Sequence, residues 1–193
     1  MRNIGLIGKM GSGKDTAARL LTERFGYERV AFADPLKDMV READPIVAYE
    51  PAGFGPLPIH LSEVLRRMSF EEAKREYTEV RRSLQRIGQG VRRLDPDYWV
   101  NLALQSVHAA EKAGFPVVVT DVRYPNEAAA LERAGFLMVR IEREQRGAMT
   151  MREIRAAMHE SETALDNYTA EVTIHNEHNV SALLACVAEL PNF

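Results

Sequence analysis

The sequence predicts an α/β fold: a five-stranded parallel sheet flanked by helices in three layers. Two local observations predict it. Short apolar runs alternate with helical patterns along the chain, and the first apolar run ends in a glycine-rich turn that opens directly into a helix. The bulk composition agrees. The chain has 193 residues, 46% of them hydrophobic and 27% charged, enough for one buried core and no argument for a second domain. Residues 1–193 are therefore read as a single domain.

Taken in order, Asn3 to Ile7 is the first strand. Lys14 to Phe25 (KDTAARLLTERF) is a helix stopped by Gly26. Arg29 to Ala33 is the second strand, and Asp34-Pro35 supplies a cap and an early proline for a helix reaching about Glu42. Residues 44–60, rich in proline and glycine, predict a long irregular loop. Charge-rich helical segments fill Leu61 to Leu94, and Asp97 caps a helix that Gly114 stops. Pro116 to Thr120 is the most apolar strand and is expected centrally in the sheet. Pro125 starts a helix to about Ala134, Phe136 to Ile141 is the fourth strand, Glu171 to Ile174 the fifth, and a helix from Ser181 to Leu190 follows. This leaves a helical insertion at about 44–113 and a charged one at about 143–160.

Charge and hydropathy exclude several classes. The net charge of −3, from 25 basic and 28 acidic residues, argues against a nucleic-acid partner. No apolar run approaches a membrane span, and the run near the start is too short for a signal peptide, so a soluble, cytoplasmic protein is expected. The single cysteine, Cys186, cannot form an internal disulfide and reads as a small buried hydrophobe. His60, His108, His159, His175 and His178 form no metal-ligand pair at helical spacing, and His175 and His178 read as parts of a solvated turn.

The chemistry concentrates at Gly8-Lys9-Met10-Gly11-Ser12-Gly13-Lys14. Glycines at 8, 11 and 13 let the backbone curl until successive N–H groups face one anion, and the helix starting near Lys14 adds its positive end. Lys14 is placed to neutralise the β- and γ-phosphates of a nucleotide. This is the signature of a P-loop NTP hydrolase fold. The next position usually carries a hydroxyl for Mg²⁺; here it is Asp15, followed by Thr16. Asp15 can hold the metal, cap the helix, or do both, and Thr16 can donate to the α-phosphate. Asp121, at the end of the third apolar run, is a second metal candidate, or else a cap for the helix after Pro125. Asp34 ends the second strand in the same way and reads as either an acceptor-orienting group or a helix cap.

Transfer of a phosphoryl group also needs guanidinium or ammonium groups drawn from several segments. Lys37, Arg81, Arg82, Arg92, Arg93, Arg123, Arg143 and Arg146 are the candidates, and each is also readable as a solvated surface charge. Arg123 stands apart, two residues beyond Asp121 at a strand's carboxyl end.

Five segments together, GKMGSGKDT (8–16), ADPLK (33–37), LQRIG (84–88), TDVRYPNE (120–127) and HESE (159–162), resemble the deoxynucleoside monophosphate kinases of tailed bacteriophages. The resemblance implies an adenylate-kinase-like core with a mobile lid, and transfer of the ATP γ-phosphate to a dNMP with Mg²⁺. It implies that Gly8, Lys9, Gly11, Ser12, Gly13, Lys14, Asp15 and Thr16 bind the donor, with Asp15 and Asp121 at the metal. Lys14, Asp121, Arg123 and Arg143 would be catalytic. Asp34, Lys37, Arg81, Gln85, Arg92, Trp99 and Arg123 would serve the acceptor, Gln85 reading a base edge and Trp99 offering a stacking face or simply filling core. Residues 143–158 would form the lid, with Arg143 and Arg146. Small-molecule nucleotides are the implied partners, for a monomer or homodimer in the host cytoplasm. Two alternatives stay open: a P-loop kinase of another phosphorylated acceptor, such as phosphomevalonate or dephospho-coenzyme A, and a nucleotide-binding switch.

Overall fold

Apolar residues on both sides of the central strands force the sheet into the interior, because a strand that alternates nothing polar needs cover on two faces. The computed structural model describes residues 1–143, 160–177 and 179–193. Five strands pair in parallel: β1 (Ile4–Ile7), β2 (Glu28–Val30), β5 (Val117–Val122), β6 (Leu137–Glu142) and β7 (Val172–His175), in the order β2-β5-β1-β6-β7. Every residue of β1 is buried, and β1, not the Pro116–Thr120 run, is the middle strand. That run lies in β5, interior but one place off centre.

One face of the sheet packs Val117, Val119 and Met138 with Val100, Ala103 and Val107 of α6 (Tyr98–Lys112) and Ala128 and Leu131 of α7 (Pro125–Arg133). The other packs Ile4, Leu6, Val118, Val139 and Ile141 with Ala17 and Leu21 of α1 (Lys14–Phe25) and Leu183 and Val187 of α9 (Val180–Glu189). These three layers agree with the expected fold class. They belong to one compact unit, Met1–Phe32 with Val100–Phe193; Ala33–Trp99 forms a second. Most of α6, expected inside the insertion at 44–113, therefore packs with the sheet.

The second unit contains α2 (Ala33–Ala43), β3 (Ile46–Glu50), β4 (Leu57–His60), α3 (Leu61–Leu65), α4 (Phe70–Glu76) and α5 (Thr78–Leu94) around Val40, Val47, Leu61, Val64, Phe70, Ala73 and Val80. Here the irregular loop expected at 44–60 is overturned. It is an antiparallel hairpin with Ala48 opposite Ile59 and Tyr49 opposite Pro58. Proline disguised it, yet in a two-stranded ribbon a residue without an N–H is tolerated on an outward-facing edge. Asp44 clips the hairpin's base: in the left-handed region at φ 40°, its carboxylate accepts from Ser62 N at 2.7 Å and Ser62 Oγ at 2.9 Å.

Two further expectations change. Cys186 is exposed on α9, because the buried stripe of that helix falls on Leu183 and Val187. Trp99 is 1% exposed and donates its indole N–H to Gly88 O at 3.2 Å, with the Tyr98 ring edge-on at 5.0 Å. That is a core tryptophan, not a stacking face. No helix among the described residues is long and apolar enough to cross a membrane.

Trp99→Phe keeps an aromatic in this cavity but deletes the donor to Gly88. Urea unfolding should show a loss of about 1–2 kcal/mol; an unchanged midpoint would mean that the indole bond contributes nothing.

Candidate active site

The turn between β1 and α1 survives only because two of its residues lack a side chain. Gly8 has φ 149°, and a Cβ there would stand 2.3 Å from Ile141 O, a backbone atom that cannot move aside. Gly13, at φ 113°, caps α1, and its Cβ would stand 2.8 Å from Asn176 Nδ2 and 2.9 Å from Leu183 Cδ2. Between them Ser12 N donates to Lys9 O at 3.1 Å, and Asn176 Nδ2 donates to Ser12 O at 2.8 Å. Asn176 is itself fixed at the end of β7 through its own N–H to Glu142 O at 2.7 Å. The loop is thus pinned from both sides at the carboxyl end of the sheet, where the unpaired N–H groups of the first turn of α1 can meet an anion.

Lys14 lies inside this turn, 8% exposed, and donates to Gly8 O and, at 2.8 Å, to Lys9 O. Burial, aided by the charge of Arg123 and opposed by Glu162, Asp15 and Asp121, lowers its pKa to about 8. The same four side chains are therefore its electrostatic neighbours. Asp15 is exposed in the first turn of α1 and Thr16 is half-buried beside it. Asp121 lies within β5, and its Oδ1 accepts from Phe32 N at 2.8 Å, tying the end of β2 to β5. It does not cap α7. Buried Glu127 does, accepting from Arg123 N at 2.7 Å and Tyr124 N at 3.1 Å.

Arg123 projects from the end of β5 to Glu162 Oε1 and to Ser161 O at 3.3 Å. Burial works against its charge, but Glu162, Asp121 and Glu127 outweigh it and its pKa is raised. Glu162 belongs to α8 (Glu160–Thr163), and its other oxygen accepts from Met10 N at 2.9 Å. Lys9 pairs with Asp166 at 3.2 Å, and Arg143 donates to Gly11 O at 3.3 Å. One cluster of the first unit thus holds Gly8, Lys9, Gly11, Ser12, Gly13, Lys14, Asp15, Asp121, Arg123 and Arg143. Arg146, His159 and most of the 143–160 segment lie outside the described residues.

The acceptor candidates other than Arg123 lie in the second unit. Arg81, Gln85 and Arg92 are half-buried and follow one another at helical spacing on one side of α5, whereas Arg82, Arg86 and Arg93 are exposed. Arg81 Nε is buried and makes no hydrogen bond among the described residues, an arrangement that a bound acceptor group would relieve. Lys37 of α2 pairs with Glu71 at 3.1 Å and lies 3.8 Å from Asp34. Asp34 itself sits in the first turn of α2.

Asn176 and Arg140 escaped the reading of the sequence, and Glu127 and Glu162 entered it only as members of the segments 120–127 and 159–162, with no role of their own. Asn176 follows the last apolar run, the kind of position where ligand groups gather in a parallel sheet, and that was the available signal. Arg140 stands alone in the apolar run FLMVRI; its guanidinium donates to Leu165 O at 2.8 Å and Tyr168 O at 2.7 Å, holding the segment that carries Asp166.

No family model matches the chain. It is 31% identical over 180 residues, 93% of its length, to the uncharacterized protein ORF77 of Ictalurid herpesvirus 1 (strain Auburn), and it spans 65% of that relative. It is 28% identical over 153 residues, 72% of this chain and 73% of the relative, to a protein of Acanthamoeba polyphaga mimivirus described as a "putative deoxynucleotide monophosphate kinase". Among solved structures, an unliganded sugar kinase from Janibacter sp. HTCC2649 superposes with a TM-score of 0.51 at 14% identity, covering 100% of this chain and 95% of that one. That likeness is one of fold, and the fold is the three-layer P-loop architecture.

Two outcomes follow from this geometry. Asn176→Asp removes the donor and sets a carboxylate against Ser12 O, so pyrophosphate affinity measured by calorimetry should fall roughly ten-fold or more; wild-type affinity would show that the loop keeps its shape unaided. A bound polyphosphate would raise the Lys14 pKa from about 8, because it stabilises the charged form. Affinity should therefore be full below pH 8 and decline above it, with net proton uptake on binding at pH 8.5–9. Calorimetry in buffers of different ionisation enthalpy reads that proton, and its absence would mean that Lys14 does not meet the anion.

Proposed function

We propose that this chain is a nucleoside monophosphate kinase that uses ATP and Mg²⁺ to convert a deoxynucleoside monophosphate to its diphosphate. One observation carries the reading. The pinned loop of backbone amides converges with Lys14, Arg123 and Arg143 on a single locus, the charge arrangement that in-line phosphoryl transfer requires. The acceptor phosphate is already an anionic nucleophile, so no covalent intermediate and no nucleophile–base pair are needed.

In this reading the loop amides and Lys14 bind the β- and γ-phosphates, Thr16 donates to the α-phosphate, and Arg123 and Arg143 neutralise the group in flight. Asp15 and Asp121 would hold Mg²⁺, which when bound draws charge from the phosphate oxygens. The donor set suits that ion. Both groups are hard carboxylates acting on the same Lys14 ammonium, and Mg²⁺ takes one or two carboxylates while keeping waters and phosphate oxygens.

The acceptor falls to the second unit, with Arg81 and Arg92 for phosphate and Gln85 for the base edge; Asp34 and Lys37 orient it. Trp99 is omitted because it is buried. The mimivirus relative's description supports a deoxynucleotide as acceptor, and the viral origin of both relatives supports the cytoplasm of an infected cell as the setting.

A coupled ADP-release assay tests the reading. Release should require a dNMP and fall by about a thousand-fold or more in Lys14→Ala. Release with phosphomevalonate or dephospho-coenzyme A instead would reassign the acceptor, and release with no acceptor at all would sink the kinase reading.

A further inference from the structure

Glu162 takes two groups that a phosphate would also use. Its Oε2 accepts the Met10 N–H at 2.9 Å, on the loop whose amides face the anion site. Its Oε1 pairs with Arg123, whose guanidinium also reaches Ser161 O. The Glu162 side chain is only 11% exposed, so these bonds are made largely away from water, where charge-assisted hydrogen bonds are strong. A carboxylate and a phosphate oxygen are both anionic acceptors at the same distances from N–H donors. One amide hydrogen and one guanidinium edge do not serve both fully.

We propose that Glu162 is an intramolecular competitor for the phosphate site, occupying the Met10 amide and Arg123 when no nucleotide is bound and giving both up to the incoming triphosphate. The proposal rests on the reading of loop 8–14 as a triphosphate site. A cavity lined by Gly8, Lys9, Arg123, Arg140, Glu162 and Asp166 adjoins the side chain. Its floor is held independently by Arg140 on Leu165 O and Tyr168 O, and by Tyr168 Oη donating to Glu132 at 2.6 Å. Turning the Glu162 carboxylate therefore leaves the segment behind it anchored.

The competition has a functional consequence. Arg123 stays charge-matched in the empty protein and becomes available only when a ligand of sufficient negative charge displaces its partner. Glu162 would thus reduce apparent affinity to the fraction of time it leaves the site free, by the same factor for every anion that must displace it.

The test uses the full chain and calorimetric titration of ATP into the wild type, Glu162→Gln and Glu160→Gln. The glutamine at 162 keeps the shape and weakens the hold on Arg123; the one at 160 removes an equal charge from an exposed position on the same helix. Expected is roughly ten-fold tighter binding for Glu162→Gln, against less than two-fold for Glu160→Gln. Equal tightening in the two variants would reduce the effect to general charge removal and overturn the proposal. Unchanged or weaker binding in Glu162→Gln would overturn it as well, by making Glu162 a support for the site instead of a rival. If thermal melting shows that Glu162→Gln does not fold, Glu162→Ser carries the same comparison. Failure of the wild type and of both Glu162 variants to bind ATP would remove the triphosphate reading and this proposal together, whereas equal affinities remove this proposal alone.

Discussion

The close approach of a bare backbone to its neighbours at two glycines governs this structure. Gly8 passes a carbonyl of β6 at a distance no side chain would permit, and Gly13 turns beneath Asn176 and Leu183 in the same way. These two contacts press the turn after β1 into the carboxyl edge of the sheet. The consequences spread outward. The first amides of α1 face a shared point, Lys14 is trapped beneath the turn, and the ends of β5 and β6 deliver Arg123 and Arg143 to its rim. A parallel sheet places every strand's carboxyl end on the same side, so a loop pinned to the middle strand automatically gathers side chains from its neighbours.

Electrostatics then sets the character of the site. Lys14 and Arg123 are two cations kept largely from water, and each lowers the other's tolerance for charge. Carboxylates from four places offset them: Asp15 at the start of α1, Asp121 on β5, Glu127 at the start of α7 and Glu162 on α8. Such clusters of perturbed charges mark functional sites more often than structural ones. Their division of labour is visible here. Glu127 is committed to backbone N–H groups and holds geometry, and Asp121 ties β2 to β5 through one of its oxygens, whereas Glu162 touches the very donors a phosphate would need. The second unit has a different logic: one side of α5 carries Arg81, Gln85 and Arg92 half-buried, and the adjacent side, one residue further on, carries the solvated Arg82, Arg86 and Arg93.

The strands, the helices of the sheet unit and the phosphate loop were legible in the sequence because their causes are local. A glycine needs a positive φ where it stands, a lysine follows at fixed spacing, and an apolar run announces a buried strand within its own few residues. The hairpin at 46–60 was not legible, because Pro58 argues against a strand until one sees that its partner strand leaves an edge open. Cys186 and Trp99 were misjudged or left open for a related reason. A helix of mostly apolar residues does not declare which stripe faces inward, and an indole declares a stacking role and a core role alike until its N–H finds Gly88.

What the sequence determined by itself is the fold class, the anion-binding turn and the identity of the charges near it. What only the tertiary structure decided is which distant residues complete that turn: Asn176 on Ser12 across 164 positions, Glu162 on Met10 across 152, Phe32 on Asp121 across 89. Those bonds depend on chain segments brought together by strand order and layer packing. No local pattern carries that information, because the free energy that selects each pairing comes from burying the whole sheet and not from the residues that meet.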